Sequence, residues 1–282
     1  MFKPSWLRLA PALGEVLLLN KASNAKRRQL IVGNWKMNGN LHENDALLTA
    51  VTDGWGASKN VDAVICPPFP YLAQVATLLT GSGLMLGAQT VSEFEAGAHT
   101  GEVSAKMLAD LDCKFVIIGH NERRRMQRET DQQVAEKFIR LQAVGLTPIL
   151  CVGESLEDRE EGKHLQTIDR QLNAVFDAVG MESLSCAVLA YEPVWAVGTG
   201  KTATPSQAEE VHCFIRKQLG KLGESVRILY GGSVKANNAR DLFALDDIDG
   251  ALLGGASLNA DEFLAICKAA DSCFTSNAPE SL

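Results

Sequence analysis

The sequence predicts an α/β protein, a (β/α)8 barrel in which eight parallel strands are surrounded by helices. Three observations support this fold class. The chain holds eight short apolar runs, helix-patterned segments separate them, and no linker-like change of composition interrupts residues 30–270. Alternating strands and helices are typical of parallel βαβ units. An open doubly wound sheet is the alternative architecture, because strand number alone does not prove closure.

The predicted strands are apolar runs that contain β-branched residues, which favours strand over loop. In chain order they span residues 30–34, 61–68, 84–89, 114–120, 146–154, 186–192, 226–232 and 248–255.

Two of the intervening segments carry clear helix signals. Thr130 and Gln133 form a capping box before an amphipathic stretch that Gly145 ends. Residues 204–220 repeat the pattern, with Pro205 at the first helical position. These signals place helices after the fourth and sixth strands.

Composition is that of an ordinary globular protein, with 46% hydrophobic and 22% charged residues. The net charge of −7 argues against a general nucleic-acid or anionic-membrane binder. No window holds the ~18 uninterrupted apolar residues of a membrane span. Seven cysteines without a C-x-x-C pair predict reduced thiols in a cytoplasmic protein. The five histidines lack ligand spacing, so we expect no metal site.

The ends of the chain differ from the centre. Residues 1–29 contain six basic residues and one acidic residue, Glu15. We expect a poorly ordered N-terminal extension there, with an organelle transit peptide or a misassigned start codon as alternatives. Residues 30–270 are predicted to form a single catalytic domain, and residues 271–282 a C-terminal tail.

Polar residues follow two of the strands, at the end of a barrel where active sites lie. Asn34 and Lys36 follow the first strand within GNWKMNG, and His120 and Glu122 follow the fourth within GHNERR. A lysine at this mouth can attract an anionic substrate. A histidine beside the start of a helix can stay neutral and donate a hydrogen bond to a carbonyl oxygen. Each of these residues alone is more often structural than functional. Only their occurrence together at the same end of the barrel indicates a functional site.

Glu192 follows the sixth strand, where surroundings of low dielectric make a carboxylate a usable general base. The next segment is compact and apolar, with a stiff proline at one end and permissive glycines at the other. This pattern is more typical of a lid than of an ordinary loop. The predicted lid residues are Pro193, Val194, Trp195, Ala196, Val197, Gly198, Thr199, Gly200 and Lys201.

Glycine pairs follow the seventh and eighth strands, in YGGSV (230–234) and GGAS (254–257). Paired glycines leave backbone N–H groups open to a phosphate, and a helix start behind them adds a favourable dipole. A base, an imidazole, a lysine and a phosphate cradle suit proton abstraction next to a carbonyl of a small phosphorylated substrate, through an enediolate.

The stretches GNWKMNG, GHNERR, AYEPVWAVGTGKTATP, YGGSV and DGALLGGASL resemble the signatures of the triosephosphate isomerase family, in order and spacing, over residues 30–270. The resemblance implies a TIM barrel that interconverts dihydroxyacetone phosphate and D-glyceraldehyde 3-phosphate without a cofactor, in glycolysis and gluconeogenesis. By motif, Glu192 would be the base, His120 the neutral electrophile and Lys36 the counter-charge, with Asn34 beside it.

The resemblance also implies how the phosphate and the lid are held. Glu122 and Cys151 would support the site, and Tyr230 would contact the closed lid together with Ser233. Backbone N–H groups would grip the phosphate at Gly198, Ser233, Gly254 and Gly255.

A homodimer is implied as well, through the loop after strand three, QTVSEFEAGAHTGE, whose Thr100 would reach the neighbour's site. Three residues depart from the family pattern: Asn121 replaces the usual Ser, His99 an aromatic residue, and Thr90 the usual Asn. A charged imidazole at His99 would weaken the interface at acidic pH. We expect an active enzyme with a reduced rate or a looser dimer.

Two alternatives stay open on the sequence alone. One is a divergent, weakly catalytic phosphate-binding paralogue, which the presence of Lys36, His120 and Glu192 disfavours. The other is a different barrel that acts on phosphosugars, which a substrate panel would separate.

Overall fold

Eight parallel strands close into a barrel in the computed structural model, which describes residues 27–56, 58, 60–196 and 203–275. Each strand pairs with its neighbours in the sequence, and the first pairs with the last. Closure excludes the open doubly wound sheet and confirms the predicted fold. The strands are β1 (Gln29–Asn34), β2 (Val61–Cys66), β3 (Met85–Ala88), β4 (Phe115–Ile118), β5 (Thr147–Val152), β6 (Val188–Tyr191), β7 (Ile228–Tyr230) and β8 (Gly250–Leu253).

Helices connect the strands around the outside of the barrel, and short 3-10 helices lie among them. The capping boxes predicted at Thr130 and Thr204 are both present. The helices are α1 (Leu41–Gly54), α2 (Leu72–Leu78), α3 (Ala105–Asp110), α4 (Asn121–Met126), α5 (Asp131–Gln142), α6 (Leu156–Glu160), α7 (His164–Val179), α8 (Pro205–Gln218), α9 (Ala239–Phe243) and α10 (Ala260–Thr275).

All eight predicted strands are confirmed, but most are shorter than the apolar runs that predicted them. The run 186–192, for example, yields only Val188–Tyr191, because Cys186 ends a 3-10 helix and Glu192 has already left the strand. The run 226–232 likewise yields Ile228–Tyr230. The residues that follow the carboxyl end of each strand form the mouth of the barrel, and the polar residues predicted for the site lie among them.

The core has two layers because successive strand residues point to opposite faces. In β1, Leu30 and Val32 belong to the cluster inside the barrel, whereas Ile31 packs in the larger cluster between strands and helices. The same alternation places Phe115 and Ile117 of β4 inside. A filled interior means that a substrate can enter only at the ends of the strands.

The boundaries of the barrel differ slightly from those predicted. Gln29, assigned to the extension, is the first residue of β1, and Arg27 contacts the barrel with its Nε 2.6 Å from Oδ1 of Asp249. At the other end α10 continues to Thr275, with Cys273 buried, so the helix enters the predicted tail. Residues 1–26 and 276–282 lie outside the described residues. No helix in the described part is long and apolar enough to cross a membrane.

Candidate active site

A cavity of about 520 Å³ opens at the carboxyl ends of the strands and brings together residues from β1, β4, β6, β7 and β8. Asn121 and Arg125 also line it, although the sequence did not assign them to the site, and so do Gly231 and Gly232, the glycine pair predicted after the seventh strand. Of the predicted site residues, the cavity is lined by Asn34, Lys36, His120, Glu122, Glu192, Ala196, Ser233, Gly254 and Gly255.

Lys36 is held at the mouth in an unusual backbone conformation. Its φ is +54°, a value uncommon for a residue other than glycine. Its N–H donates to Oδ1 of Asn34 (3.0 Å), and its carbonyl accepts from Nε2 of Gln89 (2.9 Å). The ammonium then lies 2.6 Å from Oε1 of Glu122. Strain of this kind persists only where the surroundings fix it, as at binding sites. Asn34 and Glu122 thus each position the lysine.

Glu192 leaves the end of β6 and is 2% exposed. Its N–H donates to the carbonyl of Val152 (2.8 Å). Two glycines make room for it. A Cβ at Gly153 would lie 1.9 Å from the Glu192 carbonyl oxygen, and a Cβ at Gly231 would lie 2.8 Å from its Cγ. The sequence did not predict that either glycine packs against Glu192, because the close approach arises only when β5, β6 and β7 come together.

The Glu192 carboxylate has three polar neighbours at the start of α4. The backbone N–H of Asn121 donates to Oε2 (2.9 Å), and its side-chain Nδ2 donates to Oε1 (2.8 Å). Nε2 of His120 lies 3.0 Å from the same Oε1. Asn121, noted in the sequence as a departure from the family pattern, therefore holds the candidate base directly.

Electrostatics favour the ionised form of this carboxyl group. Burial alone would raise the pKa of Glu192, but His120 and the two Asn121 donors outweigh it and hold that pKa below its ordinary value. A carboxylate that is stabilised in this way is a weak base. To accept a proton from carbon, the carboxylate has to move away from these donors towards the substrate.

Two opposing influences act on the pKa of His120. Burial lowers its pKa, whereas the carboxylates of Glu192 and Glu122 raise it, and the net direction here is upward. Its Nδ1 accepts the backbone N–H of Glu122 (3.2 Å), at the N-terminus of α4. An occupied acceptor at Nδ1 leaves Nε2 to carry the proton, which is the geometry of a neutral imidazole. Once Glu192 moves away, the main cause of the raised pKa is removed.

The first part of the predicted lid is a 3-10 helix, Val194–Ala196. Trp195 Nε1 and the Tyr191 hydroxyl both donate to Oε1 of Glu154, over 2.8 and 3.0 Å. Glu154 is fully buried, and burial raises its pKa. The sequence missed Glu154, although its position at the end of the fifth predicted strand was a signal. The other predicted lid residues, Val197, Gly198, Thr199, Gly200 and Lys201, lie outside the described residues.

Backbone N–H groups are available at the ends of β7 and β8. No acceptor within the described part of the chain binds the N–H of Gly232, Ser233, Gly254 or Gly255. A short 3-10 helix, Gly255–Leu258, begins at the second pair. Free N–H groups converging on one cavity are a ready anion site. Gly198, the fourth predicted phosphate contact, lies outside the described residues.

The predicted supporting residues lie close to these groups. The Cys151 thiol is buried inside the barrel, and burial together with the Glu192 carboxylate raises its pKa well above the ordinary value. A hydrogen bond joins the Tyr230 hydroxyl to the backbone of Ala203, the first described residue after the lid. Within the described residues no group of three or more His, Cys, Asp or Glu side chains could hold a metal ion.

Comparison with known proteins agrees with this geometry. The sequence model of the triosephosphate isomerase family matches residues 29–270. A protein of Thiobacillus denitrificans named triosephosphate isomerase is 59% identical over 248 residues, which are 86% of this chain and 99% of that protein. Proteins of the same name from Nitrosomonas europaea and Nitrosococcus oceani are 55% and 54% identical, over 86% of this chain and 98% and 99% of theirs.

Proposed function

Because this chain belongs to the triosephosphate isomerase family, we propose that Glu192, His120 and Lys36 interconvert dihydroxyacetone phosphate and D-glyceraldehyde 3-phosphate at the mouth of the barrel. The chain is an isomerase, and its reaction belongs to glycolysis and gluconeogenesis. One observation carries the assignment of roles: a carboxylate, an imidazole and an ammonium line the same cavity as four backbone N–H groups that have no acceptor among the described residues. Nothing favours the weakly catalytic phosphate-binding alternative.

Glu192 acts as the base. Its carboxylate leaves Asn121 and removes a proton from the carbon next to the substrate carbonyl. The electron pair of that C–H bond forms the enediolate, with the negative charge on the former carbonyl oxygen. The hydroxyl proton passes from one enediolate oxygen to the other with the help of Nε2 of His120. Return of the carbon-bound proton to the adjacent carbon then gives the other triose phosphate and restores the carboxylate. Because protons and electrons balance within one substrate, the reaction needs no cofactor.

His120 and Lys36 stabilise the charge that develops on oxygen. The Nε2 proton of His120 is directed into the cavity and can donate to the carbonyl oxygen as it becomes an enediolate. The Lys36 ammonium, fixed by Glu122, supplies a positive charge beside it. Donors that are already in place need no reorganisation at the moment of reaction, which is why the strained backbone at Lys36 favours catalysis.

The phosphate occupies the other side of the cavity. The backbone N–H groups of Gly232, Ser233, Gly254 and Gly255 hold its oxygens, and the predicted lid, residues 193–201, covers it. Exclusion of water protects the enediolate, which in water can eliminate phosphate. Glu154 anchors the described start of this lid through Trp195.

Turnover of D-glyceraldehyde 3-phosphate by purified protein tests the proposal. We expect fast conversion by the wild type and a loss of several orders of magnitude in Glu192→Gln. The matched control is Glu136→Gln, which removes a carboxylate from α5 outside the cavity and is expected to turn over like the wild type. A folded wild-type protein without turnover would contradict the proposal. Equal activity in Glu192→Gln would contradict the role of the base.

We also infer a homodimer. A groove of about 620 Å³ adjoins the active-site cavity and shares Asn34, Lys36, His120 and Glu122 with it. Met37, 96% exposed, lies on its wall, so a single copy leaves apolar surface in water. A partner loop that fills this groove would reach residues that position the catalytic groups.

The loop after β3 suits that role. Phe94 is exposed and stacks on His99, with ring centroids 3.8 Å apart. Thr100 is exposed beside them. The base of the loop is fixed, since Thr90 accepts from Nζ of Lys137 (3.1 Å), which also pairs with the buried Glu129. A fixed loop with an exposed aromatic stack fits insertion into the same groove of a second copy.

We infer a cytoplasmic location, because the family model matches residues 29–270, the relatives named above are bacterial and the described thiols are free. Targeting to an organelle through residues 1–29 is the alternative. Fractionation of cells that express the full chain, compared with a chain that starts at Arg27, separates the two.

A further inference from the structure

Arg125 is the feature of the cavity that the proposed chemistry leaves unused. It lies on the last turn of α4, its side chain is exposed, and it lines the same cavity as Glu192, Ser233 and Gly254. The two preceding arginines have structural partners. Arg123 lies 3.3 Å from Oε1 of Glu129.

Arg124 is more deeply engaged. Its guanidinium donates to the carbonyl of Gly119 (2.7 Å) and pairs with Asp131 (2.5 Å). Arg125, in contrast, has no ion pair or side-chain hydrogen bond within the described part of the chain. Arg123 and Arg124 therefore hold the local structure through their ion pairs. Of the three consecutive arginines, only Arg125 brings to the cavity a positive charge that is unpaired among the described residues.

The positive charge of Arg125 changes the balance of charges that line the cavity. Without Arg125, the described lining holds two carboxylates, Glu192 and Glu122, against one ammonium, Lys36. Lys36 is already paired with Glu122 at 2.6 Å. These three side chains together carry a formal charge of −1, which opposes the approach of a phosphate dianion to the backbone N–H groups deeper in the site.

We propose that Arg125 is a specificity-determining residue for the phosphorylated substrate, which attracts its dianion to the mouth and offsets the two carboxylates. This inference rests on the proposed function, since it concerns the same substrate at the same cavity. The guanidinium acts on the encounter and on binding, at a distance from the carbon that loses its proton. It is therefore expected to affect kcat/KM and not kcat.

The matched variants are Arg125→Gln and Arg240→Gln. Both remove one positive charge from an exposed arginine, but Arg240 lies on α9 and does not line the cavity. At ~0.01 M ionic strength, where screening extends over ~30 Å, we expect Arg125→Gln to lower kcat/KM about fivefold. Arg125→Glu is expected to lower it by about the square of that factor, and Arg240→Gln by less than twofold.

Salt and inorganic phosphate distinguish attraction from a structural effect. The loss in Arg125→Gln is expected to shrink to less than twofold at ~1 M ionic strength, where screening extends over only ~3 Å. Binding of inorganic phosphate, followed by calorimetry, is expected to weaken by a similar factor at low salt. The inference is overturned if Arg125→Gln matches Arg240→Gln at low salt, or if its loss persists unchanged at high salt with an equal fall in kcat.

Different results would contradict the proposed isomerase function and the proposed role of Arg125. A wild type that binds inorganic phosphate through Arg125 but does not turn over triose phosphates would sink the proposed function alone. Normal turnover with no dependence on Arg125 would sink only this inference.

Discussion

Asn121 is the departure from the family pattern with the most direct contact to the reacting groups, and its replacement by alanine gives a sharp prediction. The side chain donates to Oε1 of Glu192 over 2.8 Å, while its backbone N–H donates to Oε2. The substitution Asn121→Ala deletes the first bond and leaves the second. The free enzyme then holds its base less firmly in the ionised, retracted form.

The size of the effect follows from the geometry. Hydrogen bonds to charged groups are worth ~1.5–3 kcal/mol, and Asn121 and Glu192 are 6% and 2% exposed, so water does not replace the lost donor easily. At the lower end of that range, the proton affinity of the carboxylate rises about tenfold. The pKa of Glu192, now held below its ordinary value by His120 and Asn121 against burial, is therefore expected to rise.

The assay is the pH dependence of kcat/KM for D-glyceraldehyde 3-phosphate, because its acid limb reports the ionisation of the free enzyme. We expect that limb to lie at higher pH in Asn121→Ala than in the wild type. Asn121→Ser, which restores a shorter donor, is expected to fall between them. Asn173→Ala removes an exposed asparagine on α7 and serves as the control with an unchanged profile.

An acid limb that stays in place, or moves to lower pH, in a folded Asn121→Ala is the contrary outcome. It would mean that the contact at 2.8 Å does not stabilise the carboxylate in solution. Thermal unfolding of the variant, compared with the wild type, excludes a general loss of structure as the cause.

His212 is buried with Nε2 unpartnered among the described residues, and burial lowers its pKa from 6.5 to about 3. The unfolded chain therefore binds more protons between these values, so stability falls as pH drops below about 6.5, by ~2 kcal/mol at pH 5 relative to pH 8. Urea unfolding of His212→Gln should lose this part of the slope, and a slope equal to that of the wild type would contradict it. Lys36→Met removes the charge beside the enediolate and should lower kcat/KM by ~10²–10³, measured on the same substrate, whereas a loss under tenfold would deny the lysine its role. His99→Phe should tighten the dimer, so that sedimentation on dilution shows dissociation at a lower concentration than in the wild type; an unchanged midpoint would remove His99 from the interface.

The fold was predictable because its signals are local and repeated. Eight apolar runs predicted the strands and two capping boxes predicted helix starts. A strand or a helix start is present in the barrel at each of these places. Boundaries were less accurate, since a residue such as Glu192 continues the apolar run in sequence but has left the ladder in space. α10 runs past residue 270 because Cys273 still packs on the barrel, a contact that composition does not reveal.

The position of candidate site residues at the mouth of the barrel was predictable where a polar residue follows an apolar strand, as Lys36, His120 and Glu192 do. The sequence could not reveal contacts between segments far apart in the chain. The two hydrogen bonds from Asn121 to Glu192 join residues 71 positions apart. Glu154 ends the fifth predicted strand, but its role was missed because its two donors, Tyr191 and Trp195, lie 37 and 41 positions away. The positive φ of Lys36 is set by Asn34 and Gln89, and no propensity for lysine predicts it.

Isomerisation in deuterium oxide shows whether Glu192 moves a proton through an enediolate. Conversion of D-glyceraldehyde 3-phosphate is followed by proton NMR, and deuterium is sought at the carbon next to the carbonyl of the product. We expect deuterium there in the wild-type reaction, because the proton on Glu192 exchanges with solvent, and conversion slower by several orders of magnitude in Glu192→Gln. Conversion without any deuterium, or with equal speed in Glu192→Gln, would contradict it.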